Sequence, residues 1–374
     1  MSLNIVFLCD EYPPYMNGGI GTFTKENAES LVKEGHTVSV VGFYNDLETD
    51  EKLEVNGVYL YRLSNMRESS FIKQRLKIYS VIKNINSIDI LECQEHSGYL
   101  AFWPKQNYPI VVRLHGSITY FTQHRDKTSL LYWFWYLLEK STLKKATAIL
   151  SVSKYTAEKT KKIFNLKKEI SVIYNGVKCP DIIKTDYKQK NALNVIFAGT
   201  LHEKKGIFSL AAAWKKVILK YPDAQLNIVG RDTWDCLKMM EDIIGSKNSI
   251  KFYGFIKKSD LESLYMKMDV AIFPSYMEAF ALAPMEAMAM GLPVIYSSLC
   301  SGKELINDSS IGILIDPNDI ETIEKAILKF ASMTTTERKR IGELGRKRIY
   351  KNFNVEAQAK KNHQAYLELV KHND

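Results

Sequence analysis

The most constraining feature of the sequence is an alternation of two kinds of segment. Short apolar runs rich in Val, Ile and Phe recur along the chain, and longer segments with helical periodicity separate them. This pattern is typical of βα units, in which buried strands form a parallel sheet. The sequence therefore predicts an α/β fold. The predicted strands are 4–9, 37–43, 88–93, 110–114, 148–152, 170–174, 194–198, 225–229, 250–253, 270–273, 294–296 and 312–315.

The alternation starts twice, at residues 4–8 (NIVFL) and 194–198 (NVIFA), and each start precedes a glycine-rich turn. A chain of 374 residues also exceeds the ~250 to 300 residues at which single cores stop growing. The segment between the halves is polar and contains Pro180, as linkers often do. Ligands of such sheets bind beyond the carboxyl ends of the strands. We predict two doubly wound, Rossmann-like domains that face each other across a substrate cleft, and a linker: 1–177, 193–353 and 178–192.

Composition and charge exclude several classes of protein. A content of 46% hydrophobic and 25% charged residues fits a globular chain, not a disordered one. The five cysteines form no C-x-x-C pair, so neither a disulfide framework nor a zinc ribbon is expected. Residues 1–10 have no basic flank and no long apolar run, and no stretch reaches ~18 uninterrupted apolar residues, so we expect neither a signal peptide nor a membrane span. Residues 1–177 carry 22 basic and 18 acidic side chains out of 51 and 42, an even split that predicts no nucleic-acid-binding domain. We expect a cytoplasmic protein.

Two glycine-rich turns follow predicted strands. The turn 10–21 contains Gly18 and Gly19, and the turn 199–206 (GTLHEKKG) places two lysines before its last glycine. Glycine lets the backbone approach a ligand closely, and lysine beside free amides suits a diphosphate. Neither turn has the G-x-G-x-x-G spacing, which argues against a nicotinamide-dependent oxidoreductase. A plain surface loop remains the alternative for each turn.

The most informative segment is 274–295, PSYMEAFALAPMEAMAMGLPVI. Glu278 follows a strand, and Glu286 lies eight residues later in a predicted helix among apolar neighbours. A carboxylate accepts two hydroxyl hydrogen bonds in fixed directions, so two of them at one junction suit sugar or ribose recognition. A solvent-facing role for Glu286 is disfavoured because an unpaired carboxylate among apolar residues is costly.

This segment resembles the signature of the retaining GT-B glycosyltransferases of the group-1 or family-4 class. The frame P-S-x-x-E-x-F-x-L-x-x-x-E-A-M-A-x-G-x-P-V is reproduced almost completely at 274–294. The resemblance extends over nearly the whole chain. It includes the Gly-Gly turn, a His-Gly pair, a V-S-K segment, an N-G-V segment and a Lys-Gly clamp, at residues 18–19, 115–116, 152–154, 175–177 and 205–206.

The resemblance implies a role for each matching residue. Lys205 is expected to bind the donor diphosphate, Glu278 the transferred sugar, and Glu286 the ribose. His115 is expected to hold the donor sugar through a hydrogen bond, and Glu95 and His96 are weaker candidates for the acceptor side. We therefore expect His115, Glu278 and Lys205 as catalytic residues, Glu286, Phe280, Ala281, Leu282, Gly199, Thr200, Lys204 and Arg231 as donor-binding residues, Gly18 and Gly19 as an acceptor or phosphate loop, and no metal ligands.

One position departs from the family pattern. Thr200 directly follows Gly199, the first glycine of the turn 199–206. The family often has Arg at this position. The diphosphate charge is then left to Lys204 or His202, or the donor binds less tightly. This departure motivates an alternative reading, a non-catalytic subunit that binds nucleotide sugars.

The resemblance also implies the activity. We expect a metal-independent hexosyltransferase without a cofactor, with a nucleotide-diphosphate sugar as co-substrate and uridine favoured over guanosine as the base. The acceptor is expected to be a glycan or a lipid-linked glycan of a bacterial surface polysaccharide. The N-terminal domain would bind the acceptor and the C-terminal domain the donor. A last helix, 354–372, is expected to return to the N-terminal domain.

A second unusual segment is the predicted helix 129–145, which begins LLYWFWYLLEK and is apolar around its whole circumference. Nine lysines and one acidic residue follow between Lys140 and Lys168. A core helix with a solvated basic face is one interpretation. Peripheral contact with an anionic membrane, or with a partner subunit, is the other.

Overall fold

The computed structural model describes residues 2–15, 18–65, 70–122, 129–187 and 192–371. Residues 188–191 of the predicted linker and residue 372 of the predicted last helix lie outside this range. The strands are β1 Asn4–Leu8, β2 Thr37–Tyr44, β3 Glu51–Val55, β4 Val58–Ser64, β5 Ile90–Gln94, β6 Ile110–Leu114, β7 Ala148–Ser151, β8 Ile170–Val172, β9 Asn194–Ala198, β10 Gln225–Val229, β11 Ile250–Phe252, β12 Val270–Phe273, β13 Val294–Ser297 and β14 Ile313–Ile315. The helices are α1 Gly19–Lys33, α2 Phe71–Lys83, α3 Ile118–Phe121, α4 Leu130–Lys145, α5 Lys154–Phe164, α6 Ile207–Lys220, α7 Cys236–Ile244, α8 Lys258–Tyr265, α9 Leu282–Ala289, α10 Gly302–Leu305, α11 Ile320–Ser332, α12 Thr335–Asn352 and α13 Val355–Lys371.

The chain divides into two compact units. Unit 1 comprises Met1–Gly176 and Val355–Asp374, and unit 2 comprises Val177–Asn354. Each unit has its own sheet and its own hydrophobic core. The α/β fold class predicted from the sequence is confirmed. Within the part of the chain that the structure describes, no helix has both the length and the apolar composition that crossing a bilayer requires.

The sheet of unit 1 has eight strands in the order β3-β4-β2-β1-β5-β6-β7-β8. The central strands β1, β5 and β6 are buried along almost their whole length, because helices cover both faces of the sheet. Two apolar clusters result, one on each face. Since all but one of the strand pairs are parallel, the carboxyl ends of β1, β5 and β6 lie at one edge, where their following loops meet.

The sequence analysis missed one hairpin at the edge of this sheet. Strands β3 and β4 pair antiparallel through the turn Asn56-Gly57, and both turn residues have positive φ, 52° and 80°. Asn-Gly is the preferred sequence for such a turn because both residues tolerate the left-handed region. The charged strand β3 (EKLEV) has no long apolar run, so a search for buried parallel strands passed over it.

Helix α13 belongs to unit 1 and is held there by a buried polar network. The Tyr366 hydroxyl donates to Glu92 Oε2 at 2.5 Å. Arg113 donates to both oxygens of Glu92, at 2.6 and 2.9 Å, and to Asn362 Oδ1 at 3.1 Å. Asn362 Nδ2 in turn donates to Asn27 Oδ1 of α1 at 2.9 Å. One ion pair and its hydrogen bonds therefore connect α13 to β5, β6 and α1.

The sheet of unit 2 has six parallel strands in the order β11-β10-β9-β12-β13-β14. One face packs on α6, α7 and α11, with Trp214 fully buried at the centre. Helices α9 and α12 also pack together, because Gly342 of α12 lies against the Gly291 carbonyl, where a Cβ would come within 2.1 Å. Residues 177–187 belong to unit 2, where the Tyr187 hydroxyl donates to the same Gly291 carbonyl at 2.8 Å.

Candidate functional site

Three loops meet at the carboxyl edge of the unit 2 sheet. They follow β9, β10 and β12, and main-chain hydrogen bonds connect them to one another. The Leu201 amide donates to the Arg231 carbonyl at 2.9 Å, and the Tyr276 amide donates to the Lys204 carbonyl at 2.9 Å. The parallel register brings these strand ends together. The structure thus joins residues that are separated by up to about 75 positions in the sequence.

Gly206 fixes the position of the lysine turn. Its φ is +72°, and a Cβ at this residue would lie 1.8 Å from the Pro274 carbonyl oxygen. Only glycine combines the left-handed backbone with such a close approach. The turn 199–206 therefore packs directly on the end of β12, which places Lys205 beside Glu278.

Lys205 and Glu278 form an ion pair. The Ser275 hydroxyl donates to Glu278 Oε1 at 3.3 Å, and the Glu278 amide donates to Cys300 Sγ at 3.1 Å. The two charged side chains retain 25% and 14% of their exposure, so the pair is accessible to a ligand. The pKa of Lys204 is lowered, first by partial desolvation and then by the neighbouring Lys205 cation. The loop thus concentrates positive charge next to one carboxylate.

Glu286 lies on α9 and pairs with Lys258 at the start of α8, with 3.2 Å between Nζ and Oε1. The Glu286 side chain is 23% exposed. The sequence analysis anticipated that this carboxylate needs a partner among its apolar neighbours, and Lys258 is the partner that the structure provides. Both residues line a small cavity with Tyr265 and Met290. Burial raises the pKa of Tyr265, and the Glu286 charge raises it further.

The turn that precedes α9 presents main chain rather than side chains. The Phe280 ring is buried and packs against Phe353, with 5.5 Å between ring centroids. Ala281 is the N-cap of α9, and its side chain cannot cap the first amides of the helix. Leu282 is the first helical residue. A ligand that contacts this turn would therefore meet backbone N–H groups, to which the helix dipole adds a partial positive charge.

The remaining predicted donor residues lie on the loops after β9 and β10. Gly230 passes so close to Gly199 that a Cβ would come within 1.9 Å of the Gly199 carbonyl oxygen. Thr200 and Arg231 are exposed on these loops, and the Arg231 guanidinium stacks on the Phe255 ring at 4.9 Å. Thr200 therefore adds no charge at the place where the family often has Arg.

In unit 1, His115 follows β6. Its ring contacts Phe23 edge-on, with 4.8 Å between centroids. Burial, and then the Arg113 cation, lower the pKa of His115 to about 3. The imidazole is therefore neutral at pH 7. A neutral ring can exchange hydrogen bonds with a sugar without adding positive charge beside a cationic transition state.

Two buried carboxylates hold the backbone of the loop that contains His115. Glu95 accepts the His115 amide at 3.0 Å and the Gly116 amide at 2.8 Å. Glu139 of α4 accepts the amides of Ile118 at 2.8 Å and of Thr119 at 3.1 Å. Both carboxylates are fully buried. Burial raises the pKa of Glu95 to about 8 despite these hydrogen bonds, and also raises the pKa of Glu139.

The prediction that Glu95 contacts the acceptor is therefore wrong. Its side chain has no exposed surface, and both oxygens are occupied by main-chain donors. The residue positions the loop instead. Position at the end of a strand could not distinguish these two roles, because a buried and an exposed glutamate look the same in the sequence.

The turn with Gly18 and Gly19 begins α1, and a carboxylate already occupies that helix end. Glu11 Oε2 accepts the Gly21 amide at 3.0 Å, and a Cβ on Gly18 would come within 2.2 Å of the same oxygen. Burial raises the pKa of Glu11, and the Asp10 charge adds to the effect. A phosphate bound here would meet the Glu11 carboxylate. Of the two expected roles, the geometry favours the acceptor loop, and this role stays a prediction.

Sequence reasoning missed three residues that support the site. Ser275 and Cys300 both hydrogen-bond to Glu278, and Lys258 pairs with Glu286. Ser275 lies inside the signature frame and could have been named from it. Lys258 and Cys300 lie on other elements, and no local pattern links them to the glutamates. Among the residues that the structure describes, no three His, Cys, Asp or Glu side chains cluster in a way that could hold a metal ion.

Two doubly wound α/β units, with basic and acidic residues at the carboxyl edge of the second sheet, fit the GT-B class of glycosyltransferases that the sequence resembles. Comparison with family models assigns the chain further. Residues 17–179 match Glycosyltransferase Family 4, and residues 181–348 match Glycosyl transferases group 1. The chain belongs to this group-1, family-4 class of glycosyltransferases, which confirms the family seen in the sequence. The retaining mechanism stays a prediction.

Three of the curated relatives, each 26% identical to the chain, illustrate the range of matches. An uncharacterized glycosyltransferase of Methanocaldococcus jannaschii, MJ1607, aligns over 347 residues, 86% of this chain and 87% of that protein. The O-antigen chain mannosyltransferase B of Escherichia coli aligns over 63% of this chain and 66% of its own length. The capsular polysaccharide biosynthesis glycosyltransferase CapM of Staphylococcus aureus aligns over 59% and 62%.

Solved structures show the same fold. Sucrose-phosphate synthase from Thermosynechococcus elongatus superposes with a TM-score of 0.86 at 21% identity, covering 99% of this chain and 100% of that chain. Anabaena HepE, in a complex with UDP and glucose, superposes with a TM-score of 0.75 at 17% identity, covering 98% and 100%. At these identities the likeness establishes the GT-B fold alone.

Proposed function

We propose that the chain is a retaining hexosyltransferase that moves a sugar from a nucleotide-diphosphate donor to an acceptor hydroxyl. The observation that carries the proposal is the accessible Lys205–Glu278 pair, which lies where the strands of a doubly wound sheet end. A diphosphate sugar offers a partner to each member of this pair. Its phosphate oxygens suit the ammonium group, and its sugar hydroxyls suit the carboxylate.

In this mechanism the ion pair separates as the donor binds. Lys205 moves its interaction to the diphosphate, and the amides before α9 add N–H donors to the same group. As the bond between the anomeric carbon and the diphosphate oxygen breaks, these groups stabilise the leaving charge, an electrostatic effect worth several kcal/mol. The acceptor oxygen forms its bond to the same face of the anomeric carbon. The acceptor proton passes to the leaving phosphate.

The other predicted residues act on parts of the donor that do not leave. The Glu286 carboxylate accepts hydrogen bonds from the ribose hydroxyls, which replace Lys258 as its partner. Glu278 orients the reacting sugar. The neutral imidazole of His115 hydrogen-bonds to the donor sugar, and Glu95 and Glu139 hold the loop that carries it. No metal ion or cofactor takes part in the proposed reaction.

The named relatives and the lysine-rich segment support particular substrates. The O-antigen and capsule relatives favour a bacterial cell-surface polysaccharide as the product. The HepE complex favours uridine as the base of the donor. The proposed acceptor is a glycan or a lipid-linked glycan, used by a cytoplasmic enzyme at the inner face of the membrane. The excess of lysines between Lys140 and Lys168 supports contact with anionic lipid.

The proposal is tested with the purified full chain and a panel of UDP- and GDP-sugars. We expect release of nucleoside diphosphate with one donor, faster when an acceptor glycan is present, unchanged by EDTA, and with retained anomeric configuration by NMR. Lys205→Ala should lose most of this turnover, whereas Lys339→Ala, which removes an exposed lysine of α12, should not.

Two outcomes would contradict the proposal. Tight nucleoside diphosphate binding without turnover for any donor and acceptor pair would favour the non-catalytic binding subunit, a role suggested by Thr200. Inversion at the anomeric carbon would leave a transferase but refute the retaining mechanism.

A further inference from the structure

The first half of α4 is not the core helix that one interpretation of the sequence expected. Together with the exposed side of α2 it forms an apolar surface, which we call the α2–α4 face. Its members are between 49% and 88% exposed. The face consists of Ile72, Leu76, Leu130, Leu131, Trp133 and Leu137.

The two helices present one continuous face because their N-terminal ends touch. Phe71 of α2 packs edge-on against Phe134 and Trp135 of α4, with ring centroids 6.0 and 5.7 Å apart. On α4 the exposed residues 130, 133, 134 and 137 recur at helical spacing and form one stripe. Scattered single apolar residues are normal on a protein surface, but a contiguous set of this size marks an interaction site.

The charges around the face select its partner. Helices α2 and α4 carry seven basic residues, of which Arg75 is buried, and one acidic residue, Glu139. Glu139 is fully buried and bonded to the main chain, so it adds no negative charge to the surface. Lys73 lies beside Ile72, and Lys140 and Lys144 continue the stripe of α4 by one and two turns. An apolar face bordered by lysines complements a surface that is apolar inside and anionic at its rim.

The aromatic residues fit the same partner. Trp133 contacts Tyr136 edge-on, and the Lys140 ammonium donates to the Tyr136 hydroxyl at 2.9 Å. Trp, Tyr and Lys in this order, from apolar to charged, are the residues that anchor proteins at the level of lipid headgroups. We propose that the α2–α4 face docks on an anionic lipid bilayer, with its leucines and Trp133 in the boundary between headgroups and acyl chains.

This inference specifies the membrane contact of the proposed function, and it differs from a contact made by lysines alone. The apolar side chains supply binding that salt does not screen, and the lysines supply a preference for anionic lipid that salt weakens. Its test does not require donor turnover, because the face belongs to unit 1 whereas Lys205, Glu278 and Glu286 belong to unit 2.

The test uses the full chain and sedimentation with vesicles of phosphatidylglycerol and phosphatidylethanolamine. We expect binding at low salt, and a decrease of at least about tenfold in the vesicle-bound to free ratio for the triple variant Leu130→Gln, Leu131→Gln, Leu137→Gln. The double variant Ile182→Gln, Leu219→Gln replaces equally exposed apolar residues of unit 2 and should bind like the wild type.

A second set of variants separates the two contributions. The triple variant Lys73→Gln, Lys140→Gln, Lys144→Gln should lose the preference for anionic over phosphatidylcholine vesicles and most of the salt dependence. Vesicles should shift the Trp emission of the wild type to shorter wavelength, and Trp133→Phe should remove this shift. Circular dichroism and UDP affinity of the leucine variant should match the wild type, which shows that unit 2 and the fold are intact.

Three results would overturn the proposal: no vesicle binding by the wild type at low salt, unchanged binding by the leucine variant, or a stable dimer that only the leucine variant dissociates. The last result would assign the face to a second copy of the chain. A wild type that binds vesicles but no nucleotide would refute the proposed function and leave the docking face standing.

Discussion

The two units use charged residues in opposite ways. In unit 1 the ion pair of Arg113 and Glu92 is only 1% and 3% exposed, and its neighbours Tyr366 and Asn362 engage it further. In unit 2 the pair of Lys205 and Glu278 and the pair of Lys258 and Glu286 keep 14% to 48% of their side-chain exposure. A pair that is buried to this degree offers a ligand no surface, and its role is to hold the structure. A half-exposed pair can exchange its partner for a ligand at little cost.

The largest effect is expected where the buried pair is broken. Glu92→Ala leaves Arg113 buried without its counter-charge, so we expect the free energy of unfolding to fall by roughly 3 to 5 kcal/mol. Urea unfolding of the variant and the wild type measures this difference in the free energy of unfolding. Glu343→Ala removes an exposed partner in α12 and should change stability by less than about 0.5 kcal/mol. Equal effects of the two substitutions would contradict the distinction between the units.

Removal of a charge from unit 2 should affect ligand binding instead of stability. Lys205→Ala is expected to weaken nucleoside diphosphate binding by about 1.5 to 3 kcal/mol, the value of a hydrogen bond to a charged group. Its effect on unfolding should be small because the pair is partly solvated. Isothermal titration calorimetry measures the affinity of Lys205→Ala for the nucleoside diphosphate, and Lys204→Ala is measured in the same way for comparison. If Lys204→Ala alone weakens binding, the diphosphate contact belongs to Lys204.

Substitution of Glu278 and of Glu286 should change different kinetic constants. Glu286 is expected to touch the ribose, which does not change during the reaction, so Glu286→Gln should raise the KM for the donor by about tenfold with little change in kcat. Glu278 is expected to touch the reacting sugar, so Glu278→Gln should lower kcat by about tenfold or more. Steady-state kinetics over a range of donor concentrations up to saturation separates the two. A Glu278 variant with normal kcat and raised KM would refute its assigned role.

The last prediction concerns the dependence of stability on pH. Burial raises the pKa of Glu95 to about 8 from an ordinary value of 4.5. The folded chain therefore holds a proton there that the unfolded chain releases, and stability falls as pH rises from about 5 to 8. Glu95→Gln cannot titrate, so its unfolding free energy should decline less than that of the wild type over this interval. Parallel curves from urea unfolding at several pH values would show that Glu95 is ionised throughout.

The sequence was most informative where one local rule decides the structure. The apolar runs at 110–114, 194–198 and 270–273 became strands with those bounds. The glycine before the helix that follows β9, and the spacing of the two glutamates, located the loops after β9 and β12, because each signal depends on neighbouring residues only. Their role in donor binding stays a prediction. The hairpin of β3 and β4 was missed because its strands are short, charged and at an edge, although the Asn-Gly turn was a usable signal.

What remained hidden depends on contacts between distant segments. Lys258 reaches Glu286 from another helix, and Glu139 reaches the His115 loop from α4. Nothing near these residues in the sequence indicates their partners. The exposure of Leu130 and Trp133 was equally hidden, because an apolar run reads the same whether it is covered or not. Burial is a property of the assembled sheet and its helices, not of a segment.

The place of α13 has a consequence for the order in which the chain folds during synthesis. Residues 1–176 leave the ribosome long before Asn362 and Tyr366, and the whole of unit 2 is made in between. Until then Glu92 and Arg113 lack two of their hydrogen-bond partners, and the surface of β1 and α1 that receives Tyr366 and Val370 is uncovered. Domains usually mature from the N-terminus onward. Here unit 1 is completed only after the whole of unit 2 has been made, and a nascent chain carries that exposed apolar surface until α13 is available.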